Sequence, residues 1–304
     1  MEKPSRVVVE LCRDYVLDSG VRDYSQRDVV LYALSVGAGA VDAVESGALK
    51  FVYELDPEFD VMPSFLTVIA PFTRLFDGIL KCPGLPVVHP ARLLHVGTHV
   101  ELEQSIPRAA RIRYVSRLLD VEDKRKAAIL VVETRFSLED GQALGKVRNL
   151  LYCRGIGGFS SAEGVRDRAY EAKNTEVLMK FRSEFQTLEQ QALLYRAAGG
   201  DYNPIHADPR FANMFGFERP ILHGLCTFGI CVRVILKDIL NNDPASITSS
   251  GCRFVSPVIP GNKLVIETDF LGNGTYSFKC LNSKSQETAA IGFIQCRRKS
   301  TAKL

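Results

Sequence analysis

The eight cysteines of this 304-residue chain include no Cys-x-x-Cys pair, which argues against a zinc knuckle or a thioredoxin-like redox site. Several of them stand in apolar runs, where cysteine behaves as a small hydrophobe, and we read all of them as reduced thiols of an intracellular protein. There is no Gly-x-Ser-x-Gly elbow, so a serine-hydrolase reading has no support. No Gly-x-Gly-x-x-Gly follows a strand pattern, and Gly155-Ile156-Gly157-Gly158 lacks the lysine of a phosphate loop. A nicotinamide-binding or nucleotide-binding domain is therefore not expected. Excess charge is also scarce: 38 Lys+Arg against 35 Asp+Glu leave a net +3. Without a basic run interleaved with aromatics, no nucleic-acid partner is expected. The densest basic cluster, Arg297-Arg298-Lys299, reads as part of a solvated tail. Long apolar runs are missing too. The longest, 221–236, contains His223 and Arg233 and is too short and too polar to span a bilayer. The start, Met1 to Ser5, shows no signal-peptide core.

What is present is a pattern made twice. At 46% hydrophobic and 24% charged residues, the chain can bury a substantial core in one large domain or two modest ones. Ser25-Gln26-Arg27-Asp28 has the form of a helix N-cap with an acid three residues on, and the apolar run 29–34 follows it, ending at Gly37. Thr187-Leu188-Glu189-Gln190 looks like a similar cap before 192–197, ending at Gly199-Gly200. Leu31-Tyr32-Ala33 then superposes on Leu194-Tyr195-Arg196, and Gly37 on Gly200. Ile106-Pro107 and Ile259-Pro260 each precede a strand-like run, 111–119 and 263–271. Further segments of strand composition are 127–136, 146–153, 177–185, 276–281 and 288–297. A Gly-, Ser- and charge-rich stretch from 155 to about 174 reads as a linker. The expectation is an α+β protein in which a long helix lies on an antiparallel sheet, twice over. The repeats would span 1–160 and 175–299, with a tail at 300–304. In this register Ala38 falls on Asp201 and Ala43 on His206, so the first repeat keeps the shape without the acid and the base.

The second repeat holds the most informative residues, Gly200-Asp201-Tyr202-Asn203-Pro204-Ile205-His206 and Pro220-Ile221-Leu222-His223-Gly224. Gly199-Gly200 should end the helix that carries Tyr195. Pro204 fixes a turn that aims His206 back at Asp201, and the Asn203 amide can donate to the Asp201 carboxylate or to a water. Asp208-Pro209 reads as N-cap and first residue of a short helix. A blander reading treats Asp201 and Asn203 as turn residues satisfying local backbone and His206 as a buried, hydrogen-bonded histidine. The run 220–240 reads as a mostly apolar helix, with Pro220 in its first turn and Gly224 near its start. Unpaired N–H groups there favour developing negative charge; the alternative is a glycine chosen for packing. His223 is expected to be a packing residue. His95 and His99 have the His-x-x-x-His spacing of zinc sites, but no adjacent acid completes a metalloprotease motif, and no metal is expected.

The run 195–209 and its continuation through Phe215-Gly216-Phe217 and 220–229 are very similar to the hydratase 2 motif. The chain resembles the R-specific 2-enoyl-CoA hydratases of MaoC-like type, best known as the hydratase part of peroxisomal multifunctional enzyme type 2. The likeness also covers 24–37 and 253–261, with no dehydrogenase or sterol-carrier segment, and so suggests a free-standing hydratase. It implies a double hot-dog fold and reversible hydration of trans-2-enoyl-CoA to (3R)-3-hydroxyacyl-CoA, with no cofactor beyond the CoA of the substrate. It places the catalytic pair on Asp201 and His206, the orienting residue on Asn203 and the oxyanion donor on Gly224. Substrate contacts fall on His95, Lys124, Tyr202, Pro204, Ile205 and Phe254, and an acid implicated in activity falls on Glu54. Where the family often has Leu-His-Gly-Glu-Gln, this chain has Leu94-His95-Val96-Gly97-Thr98. The first repeat, around 62–76, is expected to make room for a long or bulky acyl chain. Ala302-Lys303-Leu304 resembles the peroxisomal import tripeptide, so the expected partners are an acyl-CoA and the import receptor. A homodimer is expected by analogy. The competing readings are a 3-hydroxyacyl-thioester dehydratase of fatty-acid synthesis and a non-catalytic acyl-thioester binding module.

Overall fold

Ten strands form one continuous antiparallel sheet in the computed structural model, which describes residues 3–39, 47–160 and 179–297. The first part contains α1 (Val9–Cys12), β1 (Tyr15–Tyr24), α2 (Gln26–Ser35), α3 (Leu66–Ile69), α4 (Phe72–Lys81), β2 (Leu93–Leu102), β3 (Ala110–Asp123), β4 (Ala127–Leu138) and β5 (Ala143–Arg154). The second part contains β6 (Met179–Gln186), α5 (Gln191–Gly199), α6 (Pro209–Met214), α7 (Gly224–Asp238), β7 (Ile247–Phe254), β8 (Lys263–Gly272), β9 (Thr275–Asn282) and β10 (Thr288–Cys296).

The strand order is β1-β3-β4-β5-β2-β7-β10-β9-β8-β6. Read inward from either edge, each set of five runs first, third, fourth, fifth, second in its own chain order. The two sets meet where β2 pairs with β7, from Gly97 opposite Arg253 to Glu101 opposite Ser249. Helices α2 and α5 contact each other across this junction, and the rings of Tyr32 and Tyr195 meet edge to face at 6.2 Å. Those two tyrosines are the residues that the repeat register superposes. Gly37 and Gly200 both have positive φ, at 89° and 69°, where glycine closes a helix without a Cβ penalty. Ala38 is buried at the place corresponding to Asp201. Ala43, the linker beyond residue 160 and Ala302-Lys303-Leu304 lie outside the described residues.

The local signals act as expected at several ends. Ser25 and Asp28 form a reciprocal capping box on α2, and the Asp208 side chain accepts from the Arg210 N–H ahead of Pro209. One cap differs. Thr187 donates its hydroxyl to the Asn262 carbonyl instead, and α5 begins at Gln191 without a side-chain cap.

The long helix also differs between the two halves. In the second it is α7, buried from Leu225 through Leu236, as a helix enclosed by a curved sheet must be. It starts at Gly224, later than the sequence suggests. The Ile221 and Leu222 N–H groups donate to the Ile205 and Val258 carbonyls, and these bonds hold the chain extended up to His223. In the first half the equivalent segment is broken into α3 and α4. Pro71 removes an N–H and turns Ala70 to extended geometry (φ −85°, ψ 136°). The break leaves α4 half-exposed along one side of a cavity.

Candidate active site

The cavity has a volume of about 890 Å³ and opens between α4, the segment leading into β2, and the loops around α6 and α7. Its polar wall is built by two chain reversals. After Gly200 closes α5, Asp201 emerges at the cavity, and its Oδ1 accepts the backbone N–H of Asn203 at 3.1 Å. Pro204–His206 is a single 3-10 turn, capped by the Asn203 side chain, which accepts from the Ile205 N–H at 3.2 Å. Asn203 therefore orients the acid through its backbone, while its amide oxygen holds the turn; the expected side-chain donation to Asp201 is not seen.

His206 ends that turn. Its Nδ1 lies 2.8 Å from the Ile221 carbonyl, an acceptor that requires the proton on Nδ1 and leaves Nε2 as the basic nitrogen. The His223 ring stacks on the His206 ring, with centroids 3.7 Å apart and planes at 25°. His223 Nε2 faces the Asp201 carbonyl at 3.3 Å, and its Nδ1 is buried without a partner among the described residues. The nearest ligand-capable atoms of Asp201, His206 and His223 all lie within 4.8 Å of one another. One water with two ordinary hydrogen bonds bridges roughly 4.6 Å, so such a gap suits a single shared water. Among the described residues the same three form a group able to approach a metal ion, but near-parallel stacked rings direct their nitrogens along parallel planes and converge poorly on a tetrahedral ion.

Burial lowers the His206 pKa, against the opposing influence of the Asp201 carboxylate and the Ile221 carbonyl. It lowers that of His223 further, and the neighbouring His206 adds to the shift. Both imidazoles are thus neutral near pH 7. His223 leads directly into the start of α7, where the first N–H groups have no intrahelical acceptor. Gly224 is the first of these residues. The Phe254 ring sits so close that a Cβ on Gly224 would come within 2.9 Å of it. Phe254 meets His95 edge-on at 5.2 Å, and His95 leans on Phe72 at 4.9 Å. A bulge in β2 between His95 and Gly97 turns His95 toward this group, and its Nε2 bonds to the Gly97 carbonyl at 2.9 Å.

Asp201, Tyr202, Asn203, Pro204, Ile205, His206, Gly224, His95 and Phe254 all line the one cavity. Lys124 and Glu54 do not. Lys124 lies in the turn between β3 and β4, paired with Glu122 at 2.8 Å, and Glu54 is exposed in a loop. His99, which shares the His-x-x-x-His spacing with His95, packs against Phe293. The sequence reading missed His223 as part of the polar wall, and also Phe211, Met214 and Phe215 of the apolar wall. Of the stretch 62–76, Phe72, Thr73 and Phe76 reach the cavity, whereas Met62, Phe65, Leu66 and Ile69 are buried in the core.

Residues 23–155 match the MFE-2 hydratase 2 N-terminal domain, and residues 171–289 match the MaoC like domain. Enoyl-CoA hydratase 2, peroxisomal, of Arabidopsis thaliana is 35% identical over 289 residues, covering 92% of each chain. The chain belongs to the MaoC-like hydratase 2 family. Within that family, 3-hydroxyacyl-thioester dehydratase Y of Mycobacterium tuberculosis is 36% identical over 248 residues, 80% of each chain. Peroxisomal multifunctional enzyme type 2 of Mus musculus is 32% identical over 262 residues, 84% of this chain and 34% of that longer protein. The crystal structure of a MaoC-like dehydratase from Phytophthora capsici superposes with a TM-score of 0.80 at 26% identity, over 95% of this chain and 98% of that one. A Mycobacterium tuberculosis protein described as a double hotdog fold superposes at 0.59 with 10% identity, over 96% of each chain, which bears on the fold alone. The architecture of this hydratase 2 family member is thus the double hot-dog, in the α+β class.

The buried imidazoles have a consequence for stability. Burial lowers the His95 pKa to about 4, against about 6.5 in an unfolded chain. Between those values the unfolded state binds more protons, so stability is complete above about pH 6.5 and declines as the pH falls toward 4. His206 and His223 act in the same direction. His95 alone should contribute roughly 2–3 kcal/mol of that loss. Urea unfolding across this range should show the decline, with a smaller slope for His95→Asn. An equal slope in both proteins would mean that His95 is protonated in the fold.

Proposed function

We propose that the protein reversibly hydrates trans-2-enoyl-CoA to (3R)-3-hydroxyacyl-CoA in peroxisomal fatty-acid β-oxidation. The observation that carries this reading is the placement of Asp201 and His206 within 4.8 Å, beside the free start of α7 at Gly224, in one largely apolar cavity. The Gly224 N–H donates to the thioester carbonyl, stabilises the enolate-like charge and makes C3 electrophilic. Asp201 and His206 hold one water between them. His206 Nε2 is free to accept a proton because Nδ1 donates to Ile221. As the water oxygen bonds to C3, the pair takes one proton and delivers one to C2 on the same face. Asn203 steadies the carboxylate through its backbone N–H. Tyr202, Pro204, Ile205, His95 and Phe254 shape the walls near the reacting atoms, and Phe72 and Phe76 accept the acyl chain.

Relatives named as peroxisomal enoyl-CoA hydratase 2 and as multifunctional enzyme type 2 support the substrate and the compartment. Receptor-mediated import and pairing into a homodimer belong to the same reading. The relative named a 3-hydroxyacyl-thioester dehydratase favours a second direction, the same site removing water. The deciding experiment is incubation with trans-2-enoyl-CoA of several chain lengths and chiral analysis of the product. A (3R)-hydroxyacyl-CoA is expected. A (3S) product, or no hydration at any length, removes the reading; a strong preference for carrier-protein thioesters moves the enzyme to fatty-acid synthesis.

A further inference from the structure

A thiol pair on the far side of α4 takes no part in hydration. Cys12 is the last residue of α1, and Cys82 closes α4. They are 70 positions apart in sequence and fully buried, and their sulfurs make a 3.9 Å thiol–thiol hydrogen bond. Their setting differs from that of the cysteines around α7. Cys226, Cys231 and Cys252 lie in the core, and their pKa values are well above the ordinary thiol range, which makes them inert packing groups. Cys82 instead has an ammonium and backbone amides around it. Lys3 Nζ donates to the Cys82 carbonyl. The hydrogen bond with Cys12 favours the thiolate, burial opposes it, and the Gly84 amide, the Lys3 charge and the Leu85 amide add to the favourable side. The result is a Cys82 thiol held below the ordinary thiol range. Cys12 is pushed up by the same contact and keeps its proton. A thiolate adjacent to a protonated thiol is the arrangement of an attacking and a resolving sulfur.

We propose that Cys12 and Cys82 form a peroxide-sensitive pair that closes to a reversible disulfide between α1 and the end of α4. The Cys82 thiolate attacks one oxygen of hydrogen peroxide, the O–O bond breaks, and hydroxide leaves, giving a sulfenic acid. Cys12 then loses its proton and attacks the Cys82 sulfur. The S–O bond breaks and water leaves as the S–S bond forms. In total two thiols are oxidised and one peroxide is reduced to two waters. Access comes from α1 itself, a helix of only four residues, where the Val8 N–H bonds to the Gly84 carbonyl at 2.9 Å. Such short elements open well below the free energy of global unfolding. Once closed, the bond removes that opening and fixes α4, which carries Phe72, Thr73 and Phe76 of the cavity wall. Nothing in this inference requires the hydration reaction.

The test uses the full-length, reduced, folded protein, titrated with hydrogen peroxide, alkylated under denaturing conditions and mapped by non-reducing peptide mass spectrometry. The expected result is a peptide pair linking residues 12 and 82, lost on treatment with dithiothreitol. A rise in melting temperature on the order of 5–10 °C should accompany it and be absent in Cys82→Ser. Three results would each overturn the proposal: Cys82 passing to sulfinic acid without the link, both thiols still alkylated at peroxide levels that oxidise free cysteine completely, or a link forming first between Cys231 and Cys280, which are hydrogen-bonded to each other in the core. The mapping is done on the unmodified chain, so it decides even where a variant folds poorly.

Discussion

Asp201→Asn is expected to lower kcat by roughly 10²–10⁴-fold while leaving KM within a few-fold. The substitution keeps the shape of the side chain. Asparagine Oδ1 can still accept the Asn203 N–H that Asp201 Oδ1 accepts at 3.1 Å, so the turn from Gly200 to His206 should hold. What disappears is the group that exchanges a proton with the shared water. His206→Ala should cost as much in kcat, but it is a less tidy change. It leaves the Ile221 carbonyl without its 2.8 Å partner and removes the ring on which His223 stacks, so its melting temperature must be measured alongside. The double variant should be scarcely slower than either single one, because each removal alone disables the pair. Steady-state rates with a trans-2-enoyl-CoA, together with substrate binding by calorimetry, check all three. Normal turnover by Asp201→Asn would falsify the assignment of the pair, whereas substrate binding with no turnover even in the unaltered protein would leave a thioester-binding module as the better description.

The reach of the sequence follows from which contacts are local. The turn that carries Asp201 and His206 was legible because its geometry is set within a few residues: Gly200 supplies the positive φ, Pro204 opens the 3-10 turn, and Asp208 caps the helix beyond it. The duplication was legible because tyrosines and glycines recur in one register. Strands β3, β4, β5, β6, β8, β9 and β10 declared themselves by composition. In contrast, β1 reads Tyr-Val-Leu-Asp-Ser-Gly-Val-Arg-Asp-Tyr, an edge strand whose mixed polar residues give a weak strand signal. His223 looked like a packing residue because its role depends on two partners that only folding supplies, the His206 ring and the Asp201 carbonyl. Lys124 and Glu54 entered by resemblance alone, and nothing local to either residue ties it to the cavity. The broken helix was missed for a different reason: Pro71 was plain, but the pairing of α3 and α4 with α7 as equivalent segments emerges only from the sheet order.

Gly224→Val should reduce kcat by roughly 10²-fold, and Gly224→Ala by somewhat less. Both variants keep the backbone N–H, so the loss does not come from deleting a donor. It comes from position. A Cβ at residue 224 would lie 2.9 Å from Cδ2 and Cε2 of Phe254, closer than carbon atoms pack. Either the ring moves or the start of α7 retreats. The ring has little freedom, because Phe254 abuts His95, which in turn leans on Phe72. Retreat of α7 is restrained as well, since the residues after Gly224 are buried on every side. The strain is therefore shared, and the N–H moves away from the developing oxyanion. A shift of about 1 Å at such a point is enough for a hundredfold loss, whereas a donor removed outright costs about 10²–10³-fold. Shortening the opposing side chain separates the two causes. Phe254→Leu placed on Gly224→Ala should recover most of the lost rate if crowding is responsible, with a melting temperature that rises in parallel. If the double variant stays as slow as Gly224→Ala while the stability returns, the requirement for glycine lies in substrate approach to the backbone, and the thioester itself must pass where the Cβ would stand.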